Sequence, residues 1–130
     1  MCEEKQDLED YIQYNFDGIA SFKLAIFVNS GKIEVKFAFG QVEEGFAEEL
    51  VKIAEHVKKS PETATFHLKT REFSRKAEEF EFDRIFCGIC EDSRIFVQSA
   101  GDNTFIVYCC GKTSGKDEPH IRQLIHGLLC

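Results

Sequence analysis

The sequence predicts an α+β fold built around antiparallel strands, in a single domain of 130 residues. Residues 82–110 contain three apolar runs of strand length separated by short polar connectors, which is typical of a three-stranded antiparallel meander. Residues 22–39 alternate apolar and polar side chains on both sides of a short turn, which indicates a β-hairpin. Helical spacing occurs before, between and after these strands. The predicted order of elements is α-β-β-α-(α)-β-β-β-α.

The first helix and the hairpin are predicted from a change in the period of the apolar residues. Residues 3–15 place Leu8, Tyr11 and Ile12 on one helical face, with charged residues opposite. From residue 19 onward the apolar residues recur with a period of two, as in a strand with one buried and one solvent-exposed face. In the second strand of the hairpin, the side chains predicted to face the core are Ile33, Val35, Phe37 and Phe39.

The central helix, predicted over residues 42–58, has a broad apolar stripe. A helix that only covers a sheet needs an apolar arc of little more than about 100°. Because this stripe is wider, it belongs either to a deeply buried helix or to a helix that also contacts a second subunit. The stripe consists of Phe46, Ala47, Leu50, Val51, Ile53, Ala54 and Val57.

Residues 61–80 allow two interpretations. A Ser-Pro-Glu start is a good helix N-terminus, and Phe66, Phe73 and Phe80 would share one face of the helix that follows. Against this, residues 65–70 alternate as a strand does. We favour the helix and keep the strand as the alternative.

The meander and the last helix complete the chain. The three strands are predicted at residues 82–89, 95–99 and 104–109, and both connecting turns are short enough for hairpins. The last helix is predicted to have Asp117 as its N-cap and Pro119 in its first turn.

Charge and hydropathy exclude several classes of function. A net charge of −7 argues against a nucleic-acid or anionic-membrane partner, because both are negatively charged and bind basic surfaces. The N-terminal residues lack the apolar stretch of a secretory signal, and no apolar run approaches the roughly 20 residues that span a bilayer. The sequence therefore predicts a cytosolic protein.

The cysteines are predicted to be reduced and mostly structural. Six are present, which would suggest disulfides only in an oxidising compartment. Cys87 and Cys90 form a CxxC pair, but residues three apart on a regular strand point to opposite faces. Cys109 and Cys110 diverge in the same way, so tetrahedral zinc would need a bulge at Gly88. We predict no metal and no cofactor.

No catalytic signature is present. Gly111-Lys112-Thr113 resembles the end of a phosphate-binding loop, but Ile106 occupies the position where that motif needs a glycine. No His adjoins a Ser or Asp in a recognisable arrangement, and the carboxylates cluster on outer helical faces. We therefore predict that the protein is not an enzyme.

The element order, together with the segment SRIFVQSAGDNTFIVYCC at residues 93–110, resembles the Roadblock family of dynein light-chain-like domains. That resemblance implies a five-stranded antiparallel sheet with helices on both faces, the outer two on one face and the central one on the other. Longin-like and profilin-like domains have a related architecture and are the structural alternatives. The segment at residues 60–80 is longer than the corresponding link in the Roadblock family.

The resemblance and the broad stripe together predict a non-enzymatic protein-interaction module. We expect a homodimer that binds a small GTPase or a scaffold protein. The alternative is a small-ligand or metal-sensing domain, in which residues 66–80 cover a pocket or the cysteines bind zinc. The candidate interface residues are Phe46, Ala47, Leu50, Val51, Phe82 and Phe86.

Overall fold

The computed structural model describes residues 2–60, 62–75 and 85–129. The described part forms one antiparallel sheet of seven strands, in the order β2-β1-β7-β6-β5-β4-β3, flanked by three helices. The elements are α1 (Cys2–Phe16), β1 (Phe22–Asn29), β2 (Lys32–Ala38), α2 (Phe46–Lys59), β3 (Thr65–Leu68), β4 (Arg71–Arg75), β5 (Phe86–Cys90), β6 (Ser93–Ala100), β7 (Asn103–Cys110) and α3 (Ser114–Leu129).

The prediction of a five-stranded sheet was wrong, because the favoured helix at residues 61–80 is a β-hairpin where it is described. Phe66 and Leu68 of β3 are buried while His67 between them is exposed, so the strand-like alternation decided the structure. Strand β4 continues the sheet and buries Phe73. Residues 76–84, which include Phe80, lie outside the described part.

The helices lie on both faces of the sheet, as predicted. On one face, α2 packs through Leu50 and Ala54 on a cluster that runs from β1 to β3. On the other, Ile12 of α1 and Ile121 of α3 pack on a cluster that runs from β2 to β5. The predicted hairpin and meander are also present, as β1–β2 and β5–β6–β7.

The second strand of the first hairpin buries less than its alternation predicts. The register between β1 and β2 shifts after Phe27, so Val35 pairs with Phe27 but Ile33 pairs with Val28. A shift of one residue turns a side chain to the opposite face of the sheet. Val35 is therefore buried in the core under α1 and α3, whereas Ile33 is 37% exposed on the α2 face, where β2 extends beyond the cluster under α2.

Helix α3 begins earlier than predicted. Its first residue is Ser114, so Asp117 lies inside the helix and is not its N-cap. The Asp117 carboxylate instead accepts hydrogen bonds from the Ser21 hydroxyl at 2.7 Å and from the Thr113 hydroxyl at 2.9 Å. Burial opposes ionisation of Asp117, but these hydrogen bonds outweigh it and hold the pKa of this carboxyl below its ordinary value. None of the described helices is long and apolar enough to cross a membrane.

Candidate interaction surface

The predicted interface residues of α2 lie against the chain's own sheet. Ala47 and Leu50 are buried on the side of α2 that faces the sheet, and Val51 is half-buried against the cluster between α2 and the sheet. Phe46 is also half-buried, with its ring edge-on to Tyr108 at 4.9 Å between centroids. The stripe is broad because β3 and β4 extend the sheet beneath this helix.

The two interface candidates outside α2 have different outcomes. Phe86 is 6% exposed and faces α2 from strand β5, so it belongs to the core. Phe82 lies outside the described residues. A single chain does not test whether two copies pair, so the use of all six residues in an interface stays a prediction.

The β3–β4 hairpin presents a sheet face that neither α1 nor α3 covers. Its other face carries Phe66, Leu68 and Phe73 into the core under α2. The cluster under α1 and α3 ends at β5, and it includes no residue of β3 or β4 among those described. The exposed side chains of this face, here called the hairpin face, are those of Thr65, His67, Glu72 and Ser74.

The geometry of the hairpin face is held by cross-strand pairs. Thr65 pairs with Ser74 and His67 pairs with Glu72 across the antiparallel ladder. The His67 imidazole lies 3.5 Å from the Glu72 carboxylate, and both side chains are more than half exposed. An exposed strand face of mixed polar chemistry, set on a rigid sheet, is suited to contacts with another protein.

Helix α3 is held against β6 by a buried charge network. Glu118 is 1% exposed and accepts hydrogen bonds from Arg94 Nε of β6 and from Arg122 Nε, each at 2.9 Å. Arg94 also donates to the Ser114 hydroxyl at 2.8 Å. Such a network orients the start of α3 relative to β6 more specifically than apolar contacts alone do.

The four described strand cysteines divide between the two faces of the sheet, as their spacing predicts. Cys87 and Cys109 are buried in the cluster under α1 and α3, whereas Cys90 packs on the cluster under α2. The register of β5 with β6 is continuous through Gly88, so no bulge brings Cys87 and Cys90 together. Burial raises the pKa of the Cys109 thiol well above its ordinary value, which makes it unreactive.

The described residues contain no group of three or more His, Cys, Asp or Glu side chains that could hold a metal ion. Sequence reasoning missed the hairpin face, because it assigned residues 61–80 to a helix. The alternation of Phe66 and Leu68 with polar neighbours, on which the strand alternative rested, was the signal for it.

No protein-family model and no curated protein sequence matches the chain. Solved structures that match it include several profilins. Acanthamoeba castellanii profilin IA superposes with a TM-score of 0.58 at 16% identity, over 92% of this chain and 94% of that one. Profilin II of the same organism has a TM-score of 0.55 at 13% identity, over 92% of this chain and 94% of that one.

LokiProfilin2, solved in a complex with rabbit actin, superposes with a TM-score of 0.63 at 11% identity. The match covers 95% of this chain and 96% of that one. At these identities the likeness shows the fold alone. The fold is therefore profilin-like, one of the structural alternatives to the Roadblock resemblance.

Proposed function

We propose that this protein is a non-enzymatic interaction module that binds actin. The observation that carries the proposal is the likeness, over 95% of the chain, to a profilin solved in a complex with rabbit actin. A likeness of fold does not transfer a partner by itself, since one fold hosts many functions. The proposal therefore needs a surface on this chain and a direct test of binding.

The hairpin face is the surface that we propose for this contact. Its strands are anchored through their opposite face, because Phe66 and Phe73 are buried under α2. A preformed surface loses little conformational entropy on binding, so most of its contact energy appears as affinity. The exposed side chains at its centre are those of His67 and Glu72, which are 64% and 59% exposed.

Three finer expectations from the sequence stay predictions. They are the small-GTPase or scaffold partner, a cytosolic location, and self-association through α2, which the burial of the α2 stripe within one chain disfavours.

The test is calorimetric titration of rabbit actin monomer into the purified chain. We expect a dissociation constant of about 1–100 μM, which is usual for a transient interface of modest area. Glu72→Arg should weaken binding about tenfold or more, because it reverses a charge and adds bulk at the centre of the hairpin face.

Glu34→Arg is the matched control, since it makes the same substitution at an exposed position of β2, the opposite edge strand of the described sheet. It should leave the affinity within about twofold, because rim and remote substitutions change binding little. Absence of heat at about 100 μM actin at two well-separated temperatures would reject the actin partner, because the heat-capacity change of binding prevents a zero enthalpy at both. Equal losses in both variants would reject the hairpin face.

A further inference from the structure

A groove on the α2 face of the sheet is not used by the proposed actin contact. It lies between the segment before α2, the β3–β4 turn and the end of β7, and its volume is about 390 Å³. Its principal lining residues are Lys23, Phe46, Leu68, Lys69, Arg71 and Tyr108. The groove and the hairpin face lie on opposite faces of the same hairpin, so they can be tested separately.

The floor of the groove is apolar and aromatic. Phe46 meets Tyr108 edge-on, with 4.9 Å between ring centroids and 69° between ring planes. Leu68 beside them is 4% exposed. Flat apolar walls with a few polar groups at the rim are the usual composition of sites for small organic molecules, and the volume falls in the same range.

The rim of the groove is basic, although the chain as a whole carries a net charge of −7. Lys23, Lys69 and Arg71 line it, with Glu43 as the carboxylate among its residues. The positive charge of Lys69 is already paired with a carboxylate. Its ammonium donates to the Glu43 carboxylate, and this hydrogen bond, with the nearby charges of Glu43 and Glu49, raises the pKa of Lys69.

Two cations remain available to a ligand. Within the described part of the chain, the Lys23 ammonium has no hydrogen-bond or ion-pair partner. Arg71 donates through Nη2 to the Cys90 carbonyl at 3.1 Å, and its guanidinium lies 5.7 Å from the centroid of the Phe73 ring. These contacts hold the Arg71 guanidinium at the groove while it keeps further N–H donors for an anion.

We propose that this groove binds a small organic acid in which a carboxylate adjoins an aromatic or branched aliphatic group. The apolar part would lie on Phe46 and Tyr108, and the carboxylate would meet Lys23 and Arg71. The Lys69–Glu43 pair joins the β3–β4 turn to the segment before α2 across the groove. That connection favours a compact ligand over a polypeptide that continues through the site.

The test uses 3-phenylpropionate as the probe and 3-phenylpropionamide as its uncharged match, each titrated into ¹⁵N-labelled protein. The carboxylate should shift the backbone amide resonances of Phe46, Leu68 and Tyr108 with a dissociation constant in the millimolar range, which is usual for so small a ligand. The amide should bind at least about fivefold more weakly, because it offers no charge to Lys23 and Arg71.

Lys23→Gln and Arg71→Gln should each weaken binding of 3-phenylpropionate about fivefold, since each removes one charged donor. Lys32→Gln is the matched control at the far end of β2, and it should leave the affinity unchanged. If Arg71→Gln perturbs the hairpin through loss of the Cys90 contact, Lys23→Gln still tests the proposal.

Three results would overturn the proposal. The first is no shift of the groove resonances at about 10 mM probe, and the second is equal affinity for the acid and the amide. The third is a peptide ending in a free Phe carboxylate that binds the groove far more tightly than the probe, which would assign the site to a protein C-terminus. None of these results bears on actin binding at the hairpin face.

Discussion

Glu118 brings a negative charge into the interior of the protein. Its side chain is 2% exposed and lies between Arg94, which is largely buried, and Arg122, which is 1% exposed. The Arg122 guanidinium also lies 5.9 Å from the centroid of the Phe96 ring of β6. A buried charge is tolerated only where it is paired and hydrogen-bonded, so each member of this group depends on the others.

Glu118→Gln is expected to lower the free energy of unfolding by about 3 kcal/mol, because a neutral amide leaves Arg122 buried without this compensating charge. Urea unfolding followed by circular dichroism measures the change. Glu48→Gln on the exposed face of α2 is the control, and it should stay within about 0.5 kcal/mol. Equal urea midpoints for the two variants would show that the charge of Glu118 does not stabilise the fold.

At the scale of elements, β5 and the β3–β4 hairpin are fitted to each other through a glycine and two aromatic rings. Phe66 and Phe73 are stacked, with 5.4 Å between centroids and 5° between ring planes. A Cβ placed on Gly88 of β5 would lie 2.5 Å from Cζ of Phe66, which is far inside a van der Waals contact. Gly88 therefore makes room for the Phe66 ring.

Gly88→Ala is expected to cost about 1–3 kcal/mol of stability, because the Phe66 ring must move within a packed cluster. The same change combined with Phe66→Leu should cost less than the sum of the two single changes, by at least about 0.5 kcal/mol in a double-mutant cycle. Chemical unfolding of the four proteins measures this coupling.

Gly18→Ala provides the control for the glycine prediction, since a Cβ at that position meets no atom within 4 Å. Its effect should stay within about 0.5 kcal/mol. Strict additivity of Gly88→Ala and Phe66→Leu would show that the ring does not limit the residue at this position.

At the scale of the whole molecule, each helical layer leaves one end of the sheet uncovered. Helix α2 and its cluster reach β3 but include no residue of β2, whereas the cluster under α1 and α3 reaches β5 but not β3 or β4. Large exposed apolar side chains among the described residues are Tyr14, Ile33 and Phe39, and none of them belongs to the α2 stripe. The apolar stripe of α2 is thus covered within one chain.

Light scattering is expected to give the single-chain mass of 14.9 kDa, because the β3–β4 hairpin covers the stripe that would otherwise drive pairing through α2. Val51, half-buried at the margin of α2, provides the decisive variant. A native species of twice this mass that falls to one chain in Val51→Glu, with the circular dichroism spectrum unchanged, would instead support the dimer predicted from the sequence.

The sequence alone determined the local elements whose burial pattern is strongly periodic. The meander, the first hairpin and the three helical segments follow from apolar spacing, because period indicates which face of an element is buried. The same reasoning placed Cys87 and Cys90 on opposite faces of one strand. It gave no chemical signature for function, and the described residues contain no group of three or more His, Cys, Asp or Glu side chains that could hold a metal ion.

Only the tertiary structure decided the features that depend on residues far apart in the chain. Phe66 suits either a helix or a strand, and as a strand residue its ring occupies the space that Gly88 leaves in β5. Asp117 has the chemistry of an N-cap, but Ser21, 96 positions earlier, became its partner. The local sequence pattern indicates which residues of a segment can be buried. Which strand it pairs with and which helix covers it depend on residues that are distant in the chain.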